Sequence, residues 1–299
     1  MIIAVNQITK DIMLEIDALL NACKAHDGNS IPIYKHLIEK KHPIACNLLY
    51  YQDNKLIGYL RSFFFYADAC EISIMVAPNF RRKKIATQLL NDIIPVLENE
   101  GIKKLVFSTP YKINSAWLES LGLVHRNSEY HMQYFANLKT NIPIPKASIR
   151  YAKFEDIDSL CEIDRQSFPN KKVDKDSLFQ GLLQTPNCDL FALVHENKVI
   201  GKAHAFTETD KVRLTDIGII QEYRSQGFGR AIVKHCINHA LLRNKTSIAL
   251  DVEAVNSKAI KLYEQMGFKI VNSHDYFQTI THENHYGLAP ILSKSHKKL

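Results

Sequence analysis

Apolar and polar positions along this chain follow helix and strand periodicities in a repeated order. The helical spacing of Ile12, Ile16 and Leu19 predicts a first helix over residues 10–23. The first half then predicts a helix near 33–40, a hairpin of 47–51 with 55–66, a strand at 71–76, a helix at 85–100, a strand at 105–108, a helix at 115–121 and a strand at 130–135. The second half predicts a helix at 156–167, a hairpin of 190–195 with 198–207, a strand at 214–220, a helix at 231–242, a strand at 247–252, a helix at 257–266 and final strands at 275–279 and 286–292. Such strands and helices on a mixed sheet make each half α/β or α+β.

Shared landmarks indicate that the second half of the chain repeats the first. Residues 53–58 (DNKLIG) resemble residues 196–201 (ENKVIG), and Arg81 has a counterpart in Arg224; both pairs are 143 positions apart, from 53 to 196 and from 81 to 224. A fixed offset is typical of a duplicated domain. We therefore predict two copies of one domain, at 1–137 and 149–299, joined by a proline-containing linker at 138–148.

The composition fits a globular protein of two domains. With 299 residues, 46% of them hydrophobic and 23% charged, the chain can bury two cores of about 150 residues each. No apolar run approaches the roughly 20 residues of a membrane span, and the first residues lack the features of a signal peptide. We therefore expect a cytoplasmic protein without a membrane segment, for which an oligomer is possible.

Cysteine spacing and net charge narrow the choice of partners. The six cysteines include no C-x-x-C pair, so neither a disulfide framework nor a metal site is expected. The formal net charge of +7 suits an anionic ligand and a nucleic acid equally well. Because no nucleic-acid-binding motif is present, nucleic acid is the weaker option. The basic residues 294–298 are interpreted as a solvated tail.

The basic, glycine-containing stretch at 221–230 is the main candidate for chemistry. It lies between an apolar strand and a helix, and it places Gly227 and Gly229 shortly after Arg224. The first backbone N–H groups of a helix lack intrahelical partners and sit at the positive end of the helix dipole, so such a turn can bind a phosphate. Glycine also allows the backbone to approach a diphosphate closely. The structural alternative is an ordinary loop between a strand and a helix.

Two motifs in the second copy resemble the GNAT acetyltransferase superfamily. Arg224-x-x-Gly227-x-Gly229 resembles the acetyl-CoA pyrophosphate loop of that family. A later family motif is matched at Leu250, Val252, Asn256, Ala259, Tyr263, Gly267 and Phe268. The resemblance covers the second copy well and the first in outline. It implies two tandem GNAT-like domains, each a mixed, mostly antiparallel sheet flanked by helices and splayed at its fourth and fifth strands.

The resemblance further implies that the second copy holds acetyl-CoA as a co-substrate. Ile217 and Ile219 would pair with the pantetheine amides, and Asn256 would bond the cofactor arm. The diphosphate is assigned to Arg224 and to the backbone amides of Gln226, Gly227, Phe228, Gly229 and Arg230. Tyr263 would protonate the departing CoA thiolate.

Direct acetyl transfer needs a deprotonated amine, a donor at the carbonyl oxygen and a proton for the leaving sulfur, but no nucleophilic cysteine. The phenol of Tyr263 suits the last proton transfer. Asp216 and Glu253 lie on or beside the strands that flank the gap and are candidates for the general base. Two of these residues have structural alternatives: Tyr263 can pack against the sheet, and Asn256 can cap the helix that starts at Ser257.

The first copy departs from the family pattern at two positions. Lys84 stands where the second copy has Gly227, and a lysine side chain would crowd a turn that closes over a diphosphate. Trp117 or Leu118 lies near the place of Tyr263, so the proton donor is missing. We therefore expect an inactive first copy that contributes structure or part of the substrate cleft.

The sequence thus predicts an acetyl-CoA-dependent N-acetyltransferase that acts directly on the amine of a small molecule or peptide. A longer acyl-CoA, or an alcohol or thiol acceptor, is an alternative within the same fold. The alternative from another class is a non-catalytic acyl-CoA sensor or scaffold. Acceptor contacts are expected from the first two helices of the second copy and the loop at 167–186, whose mixed charge points to no acceptor class.

Overall fold

The computed structural model describes residues 1–65, 68–135, 145–168 and 175–279, without the side chains of His36, Lys175 and Asp176. Five predicted elements or segments lie wholly or partly outside these ranges: the end of the hairpin strand at 55–66, the strand at 286–292, the linker at 138–148, the loop at 167–186 and the tail at 294–298. The described strands are β1 (Ile2–Val5), β2 (Asn47–Gln52), β3 (Lys55–Phe63), β4 (Ala69–Val76), β5 (Lys104–Pro110), β6 (Leu123–Tyr134), β7 (Ser148–Tyr151), β8 (Cys188–His195), β9 (Lys198–Glu208), β10 (Lys211–Ile219), β11 (Ser247–Glu253) and β12 (Phe268–Thr279). The described helices are α1 (Lys10–Asp27), α2 (Lys35–Ile38), α3 (Ile85–Asn99), α4 (Ser115–Ser120), α5 (Ile157–Ser167), α6 (Lys175–Leu183), α7 (Phe228–Leu242) and α8 (Ser257–Gln265).

The chain forms two compact units that do not follow the two repeats to their ends. Unit 1 contains Met1–Glu129 together with the chain from Asn272 onward, and unit 2 contains Tyr130–Val271. β6 and β12 are therefore each divided between the units. The predicted domains 1–137 and 149–299 differ from these units in their last strands, and as boundaries of the repeats they stay a prediction.

Unit 1 confirms the predicted class of a mixed, mostly antiparallel sheet with helices. Its strands are ordered β1-β2-β3-β4-β5, followed by its parts of β12 and β6. Only β4 and β5 are parallel among the strand pairs with a described register in this unit. One face carries a core with α3 that includes Ile72, Leu89 and Phe107, and the other packs α1 against Tyr59 and Phe63.

Local signals explain why α1 forms where the periodicity predicts a helix. Thr9 caps its start by accepting a hydrogen bond from the Ile12 N–H at 3.4 Å. Gly28 ends it in the left-handed conformation, with φ 76°, where a residue without a Cβ is favoured. Ile16 and Leu19 are buried at helical spacing, as predicted.

The last part of β12 completes the sheet of unit 1. It pairs antiparallel with β5, from His274 opposite Pro110 to Gln278 opposite Val106. The Asn272 side chain accepts a hydrogen bond from the Ser30 N–H at 2.7 Å and donates one to the Ser30 carbonyl at 2.9 Å. A segment from the end of the second repeat is therefore part of the unit that the first repeat builds.

Unit 2 repeats this architecture. Its strands follow the order β12-β6-β11-β10-β9-β8-β7, with β10 and β11 parallel. α7 packs in the large core of this unit with Phe191 and Leu250, and α5 and α6 form a smaller core around Phe179. The short edge strand β7 and the helix α6 were not predicted, because four-residue strands and weakly periodic helices give little signal in a sequence.

Candidate active site

β10 and β11 part in the middle of unit 2. Their parallel pairing runs from Lys211 opposite Ser247 to Leu214 opposite Leu250 and goes no further in the described chain, although β10 continues to Ile219. The main-chain groups of β10 beyond Leu214 therefore have no strand partner on that side. The open edge lies at the fourth and fifth strands of the repeat, where the family resemblance implies a gap.

A β-bulge in β10 lies at the start of this gap. Thr215 pairs with His204 and Gly218 with Lys202, so Asp216 and Ile217 together stand opposite the single residue Ala203. Asp216 takes a φ of 49°, in the left-handed region that aspartate tolerates better than most residues. The bulge thus places a half-buried carboxylate where the strands separate.

The basic turn after β10 has the shape of an anion cradle. It consists of a 3₁₀ turn at Gln221–Tyr223, then Arg224 in extended conformation, and it reaches α7 through Gly227 at φ 91°. The first backbone hydrogen bond that enters α7 is donated by the Ala231 N–H to the Gly227 carbonyl at 3.0 Å. The backbone N–H groups before Ala231 therefore lie at the N-terminus of α7 without intrahelical acceptors, which is the arrangement of an anion-binding turn.

The side chains of this turn hold its shape. Arg224 donates Nε to the Ile219 carbonyl at 2.8 Å and Nη2 to the Gln166 carbonyl at 2.9 Å. Gln226 donates to the Glu222 carbonyl at 2.8 Å. The side chains of Arg224 and Gln226 therefore bond within the protein, and the N–H groups at the start of α7 are left as the donors of the turn.

The remaining residues predicted in the turn pack inward or face α8. Phe228 is buried and lies against the rings of Tyr223 and His195. Arg230 donates Nη2 to Gln265 on α8 at 2.9 Å. A Cβ on Gly229 would meet Leu262 at an ordinary 3.5 Å, so packing does not require glycine there, whereas the positive φ of Gly227 favours glycine at that position.

Asn256 and Tyr263 belong to α8. The Asn256 side chain accepts a hydrogen bond from the Ala259 N–H at 3.2 Å, which confirms the capping alternative and leaves its NH₂ group available for a second role. Tyr263 is buried in the main core of unit 2, with its ring 6.0 Å from that of Phe268. Burial raises the pKa of Tyr263 to about 12, so the phenol keeps its proton at neutral pH.

A buried charge network lies behind the bulge, and the sequence did not predict it. Lys202 is fully buried, and its Nζ lies 3.0 Å from Asp164 Oδ1, 3.2 Å from the Asp216 carbonyl oxygen and 3.3 Å from His204 Nε2. His204 Nδ1 lies 3.5 Å from Asp216 Oδ2. The network therefore connects a buried ion pair to the carboxylate at the gap.

The other acidic residues near the gap differ from Asp216 in their surroundings. Glu253 is exposed at the end of β11, where its carbonyl accepts a hydrogen bond from the Asn256 N–H at 2.9 Å. Asp251 is bound at both oxygens, by His131 at 2.8 Å and by Arg213 at 2.9 Å. Of the two predicted base candidates, only Asp216 combines partial burial with a place at the bulge.

Unit 1 forms the same turn without the glycine. Arg81 donates Nε to the Val76 carbonyl at 3.0 Å and pairs with Asp27 through two contacts of 2.7 Å. Lys84 takes the left-handed conformation, with φ 61°, and its side chain is exposed. The lysine therefore does not prevent the turn from forming in the protein itself.

The strands of unit 1 differ from those of unit 2 in that their parallel pairing continues one residue pair further. The parallel pairing of β4 with β5 extends to Ser73 opposite Ser108, and the two hydroxyl oxygens lie 2.8 Å apart. In the place of Tyr263, Leu118 is buried and Trp117 is half-buried on the shorter helix α4. Unit 1 thus has neither the bulge carboxylate nor the phenol.

The described part of the chain contains no helix long and apolar enough to cross a membrane. Within the same ranges, no group of three or more histidine, cysteine or acidic side chains is arranged to hold a metal ion.

Comparison with known proteins identifies relatives of both repeats. A model of the acetyltransferase (GNAT) family matches residues 13–117 and 157–268. A protein of Bacillus subtilis (strain 168) assigned as a ribosomal protein bS18-alanine N-acetyltransferase is 27% identical over 124 residues, which cover 42% of this chain and 82% of the relative. The N-acetylaspartate synthetase of Xenopus tropicalis is 30% identical over 115 residues, which cover 37% of this chain and 42% of that protein. The match thus spans less than half of the second relative.

Solved structures share the fold over nearly the whole chain. A GCN5-related N-acetyltransferase from Sphaerobacter thermophilus superposes with a TM-score of 0.75 at 16% identity, over 93% of this chain and 95% of that chain. A tandem GNAT protein from the clavulanic acid biosynthesis pathway gives a TM-score of 0.64 at 12% identity, over 93% and 98% of the two chains. These likenesses establish the tandem fold.

Proposed function

Because this chain belongs to the GNAT acetyltransferase family and is an acyltransferase, we propose that its unit 2 transfers an acetyl group from acetyl-CoA to an amine. Acetyl-CoA is the co-substrate of the family in general. The observation that carries the proposal is the presence, in one unit, of an open strand edge, an anion cradle at the end of that strand and a carboxylate at the bulge between them. Unit 1 has the cradle but neither the bulge nor its carboxylate.

The cradle suits the diphosphate of acetyl-CoA, and the open strand edge suits its pantetheine arm. The helix N-terminal amides from Gln226 to Arg230 would bind the diphosphate. The Ile220 N–H donates to the Ile200 carbonyl on β9 at 2.9 Å, so in an alternating strand the N–H groups of Ile217 and Ile219 face the opposite, open side. There they can pair with the pantetheine amides. Bound acetyl-CoA supplies the thioester whose carbonyl carbon the amine attacks.

We assign Asp216 as the general base. A lysine ammonium has donors only, so the contact between Lys202 Nζ and His204 Nε2 requires Nε2 to accept, and the imidazole proton then lies on Nδ1. Nδ1 faces the Asp216 carboxylate at 3.5 Å. A donor at this place stabilises the ionised carboxylate, which is the form that accepts a proton from an ammonium group. Glu253 is the second candidate.

We assign Tyr263 as the general acid for the leaving thiolate. Its raised pKa means that the proton is present at neutral pH, but also that its transfer to an ordinary thiolate, with a pKa of about 8.5, is uphill outside the bound state. The packing of Tyr263 in the core supports a structural role as well. Tyr263→Phe separates the two roles: loss of turnover with intact folding and cofactor affinity supports the acid, whereas unchanged turnover leaves only packing.

The acceptor we propose is the amine of a small molecule or peptide. The names of the relatives refer to alanine and to aspartate, which favours an α-amine. We also propose that the protein works in the cytoplasm, because its six cysteines are all free thiols, as is usual in a reducing compartment.

The test uses the purified full chain with acetyl-CoA and a panel of amino acids, peptide N-termini and polyamines, with acetylated products detected by mass spectrometry. We expect at least one amine to be acetylated, and Asp216→Asn to remove the product. Binding of acetyl-CoA without turnover on any amine, alcohol or thiol would favour the sensor or scaffold. Turnover only with longer acyl-CoA esters would correct the donor.

A further inference from the structure

One face of the unit 1 sheet carries a buried polar cluster that the acetyl-transfer proposal does not use. Ile72 and Phe107 belong to the α3 core, so the neighbouring Glu71 and Ser108 point to the opposite face. Tyr276 pairs with Ser108 across β5 and β12 and shares that face. We define the polar cluster as Glu71, Ser108, Glu129, His274 and Tyr276.

The contacts inside the polar cluster leave two acceptor atoms unused. His274 Nε2 lies 3.2 Å from the Tyr276 hydroxyl and 3.5 Å from Glu129 Oε2. The Ser108 hydroxyl bonds the carboxylate of Glu71, which is only 7% exposed. Glu71 Oε1 and His274 Nδ1 are buried and have no hydrogen-bond partner among the described residues. Such atoms are rare in folded proteins because each costs free energy, so they indicate a missing donor.

The tautomer of His274 adds a further hydrogen-bond acceptor to the polar cluster, which already has more acceptors than donors. A carboxylate oxygen beside Nε2 favours the proton on that nitrogen, so in the neutral imidazole Nδ1 carries a lone pair. The cluster therefore offers an imidazole lone pair and two carboxylates, of which that of Glu129 also accepts a hydrogen bond from Asn127 Nδ2 at 3.1 Å. Its own donors are the hydroxyls of Ser108 and Tyr276 and the Nε2–H group. A ligand that supplies only donors fits this imbalance.

Neither of the two arginines of unit 1 considered near this face supplies the missing hydrogen-bond donor to Glu71. Arg126 has an exposed side chain, and its charge acts on Glu71 only weakly. Arg61 lies on the same face as Glu71, but its guanidinium contacts the Cys46 thiol and sits 5.2 Å over the Phe63 ring. Burial and the charge of Glu129 raise the pKa of Glu71 to about 7, as expected for a carboxylate without a close cation.

Unit 2 also has a buried carboxylate, but there an ammonium group of the chain itself pairs with it. There the buried carboxylate of Asp164 has the Lys202 ammonium at 3.0 Å. The residue of unit 1 that corresponds to Lys202 at the offset of 143 is Tyr59, whose hydroxyl donates to Asn47 at 2.7 Å. The first repeat therefore lacks the internal ammonium.

We propose that the polar cluster of unit 1 binds a primary amine as its ammonium ion, between the carboxylates of Glu71 and Glu129. The site is separate from the acetyl-transfer site of unit 2 and does not depend on acetyl-CoA. Binding requires ionised Glu71, so the affinity rises as the pH increases through about 7. The other titratable groups that interact with Glu71 are Glu129, Tyr276 and Arg126, of which Glu129 strengthens the binding of a cation and Arg126 weakens it.

The test measures thermal unfolding of the full chain, without acetyl-CoA, in the presence of n-butylamine at pH 6 and pH 8. Tetramethylammonium, a cation without N–H groups, and 1-butanol, a neutral molecule of similar size, are the matched probes. We expect a saturable rise of the melting temperature with n-butylamine alone, larger at pH 8. Calorimetry should show at least about tenfold weaker binding in Glu71→Gln, corresponding to the loss of one close ion pair.

Variants distinguish this site from the proposed acceptor site. Asp216→Asn should keep the response to n-butylamine, and Glu71→Gln and Glu129→Gln should reduce it. An equal response in wild type and Glu71→Gln, or a response lost only in Asp216→Asn, overturns the proposal and assigns the amine to unit 2. No response to any probe at pH 8 also overturns it, because water would then satisfy Glu71.

Discussion

The basic turn of unit 1 and that of unit 2 follow the same backbone path, although only unit 2 carries the glycine. Arg81 bonds the Val76 carbonyl as Arg224 bonds the Ile219 carbonyl, and both donor and acceptor positions differ by 143. Lys84 takes a φ of 61° where Gly227 has 91°. The shape of the turn is therefore set by the arginine brace and the helix start. The glycine matters for what can approach the turn.

The strands before the turn differ more than the turns do. β3 and β4 pair without a register shift from Gly58–Val76 to Phe63–Glu71, whereas the corresponding pair in unit 2 is bulged at Asp216. In unit 1, Ser73 and Ser108 add one more parallel pair, and their hydroxyl oxygens lie 2.8 Å apart. One extra residue in β10 thus distinguishes two sheets of the same strand order, because it places a bulge beside the end of the parallel pairing in unit 2 alone.

The first prediction, which has the largest expected effect, tests whether the Asp216 carboxylate at the bulge is needed for catalysis in unit 2. Asp216→Asn keeps the bulge, because asparagine also tolerates a positive φ, but removes the base. We expect kcat to fall about 10²- to 10⁴-fold with acetyl-CoA affinity retained. Steady-state kinetics and calorimetry measure the two quantities. A large loss in Glu253→Gln together with a small one in Asp216→Asn would transfer the role to Glu253.

The second prediction concerns the internal ammonium that unit 2 has and unit 1 lacks. Lys202→Met leaves the buried carboxylate of Asp164 without its partner, and we expect the free energy of unfolding to fall by about 3–5 kcal/mol. Urea titration of the full chain provides the measurement. The matched control is Lys198→Met on the same strand as Lys202, which removes an exposed ion pair with Glu222. It should change the free energy of unfolding little. Equal effects of the two variants would contradict the assigned network.

The third prediction concerns the buried carboxylate of unit 1. Glu71 holds its proton up to a pH of about 7 in the folded protein and only to its ordinary value of 4.5 in the unfolded chain. Between these values the folded state binds more protons, so Glu71 makes the free energy of unfolding decrease as the pH rises. Glu71→Gln should therefore stabilise the protein by up to about 3 kcal/mol at pH 8 and have little effect at pH 4. A gain that does not depend on pH would mean that Glu71 is not buried as a carboxylate.

The sequence predicts those features of the structure that depend on residues close together in the chain, and it misses those that depend on distant residues. The turn, α7 and the cap at Asn256 rest on neighbouring residues, and the sequence predicted them. The place of Asn272–Thr279 in unit 1 depends on pairing with β5, whose partner residues are 164 to 172 positions away (from 274 − 110 to 278 − 106), and no local sequence pattern encodes it. Lys202 and His204 alternate with alanines in β9 and suggest a solvated strand face, but α5 and α6 cover it.

The smallest expected effect addresses the glycine itself. Gly227→Lys copies the turn of unit 1 into unit 2, and Lys84 shows that the backbone can adopt this shape with a lysine. The strain of a positive φ in a non-glycine residue is about 1–2 kcal/mol, and the added side chain stands at the mouth of the cradle. We expect acetyl-CoA affinity to fall about tenfold or more by calorimetry, with the fold intact.

Lys84→Gly is the converse control. It should create no acetyl-CoA binding in unit 1, because β4 lacks the bulge that β10 has before the turn. Unchanged affinity in Gly227→Lys would mean that the diphosphate binds elsewhere, and new binding in Lys84→Gly would mean that the glycine, and not the bulge, distinguishes the two units.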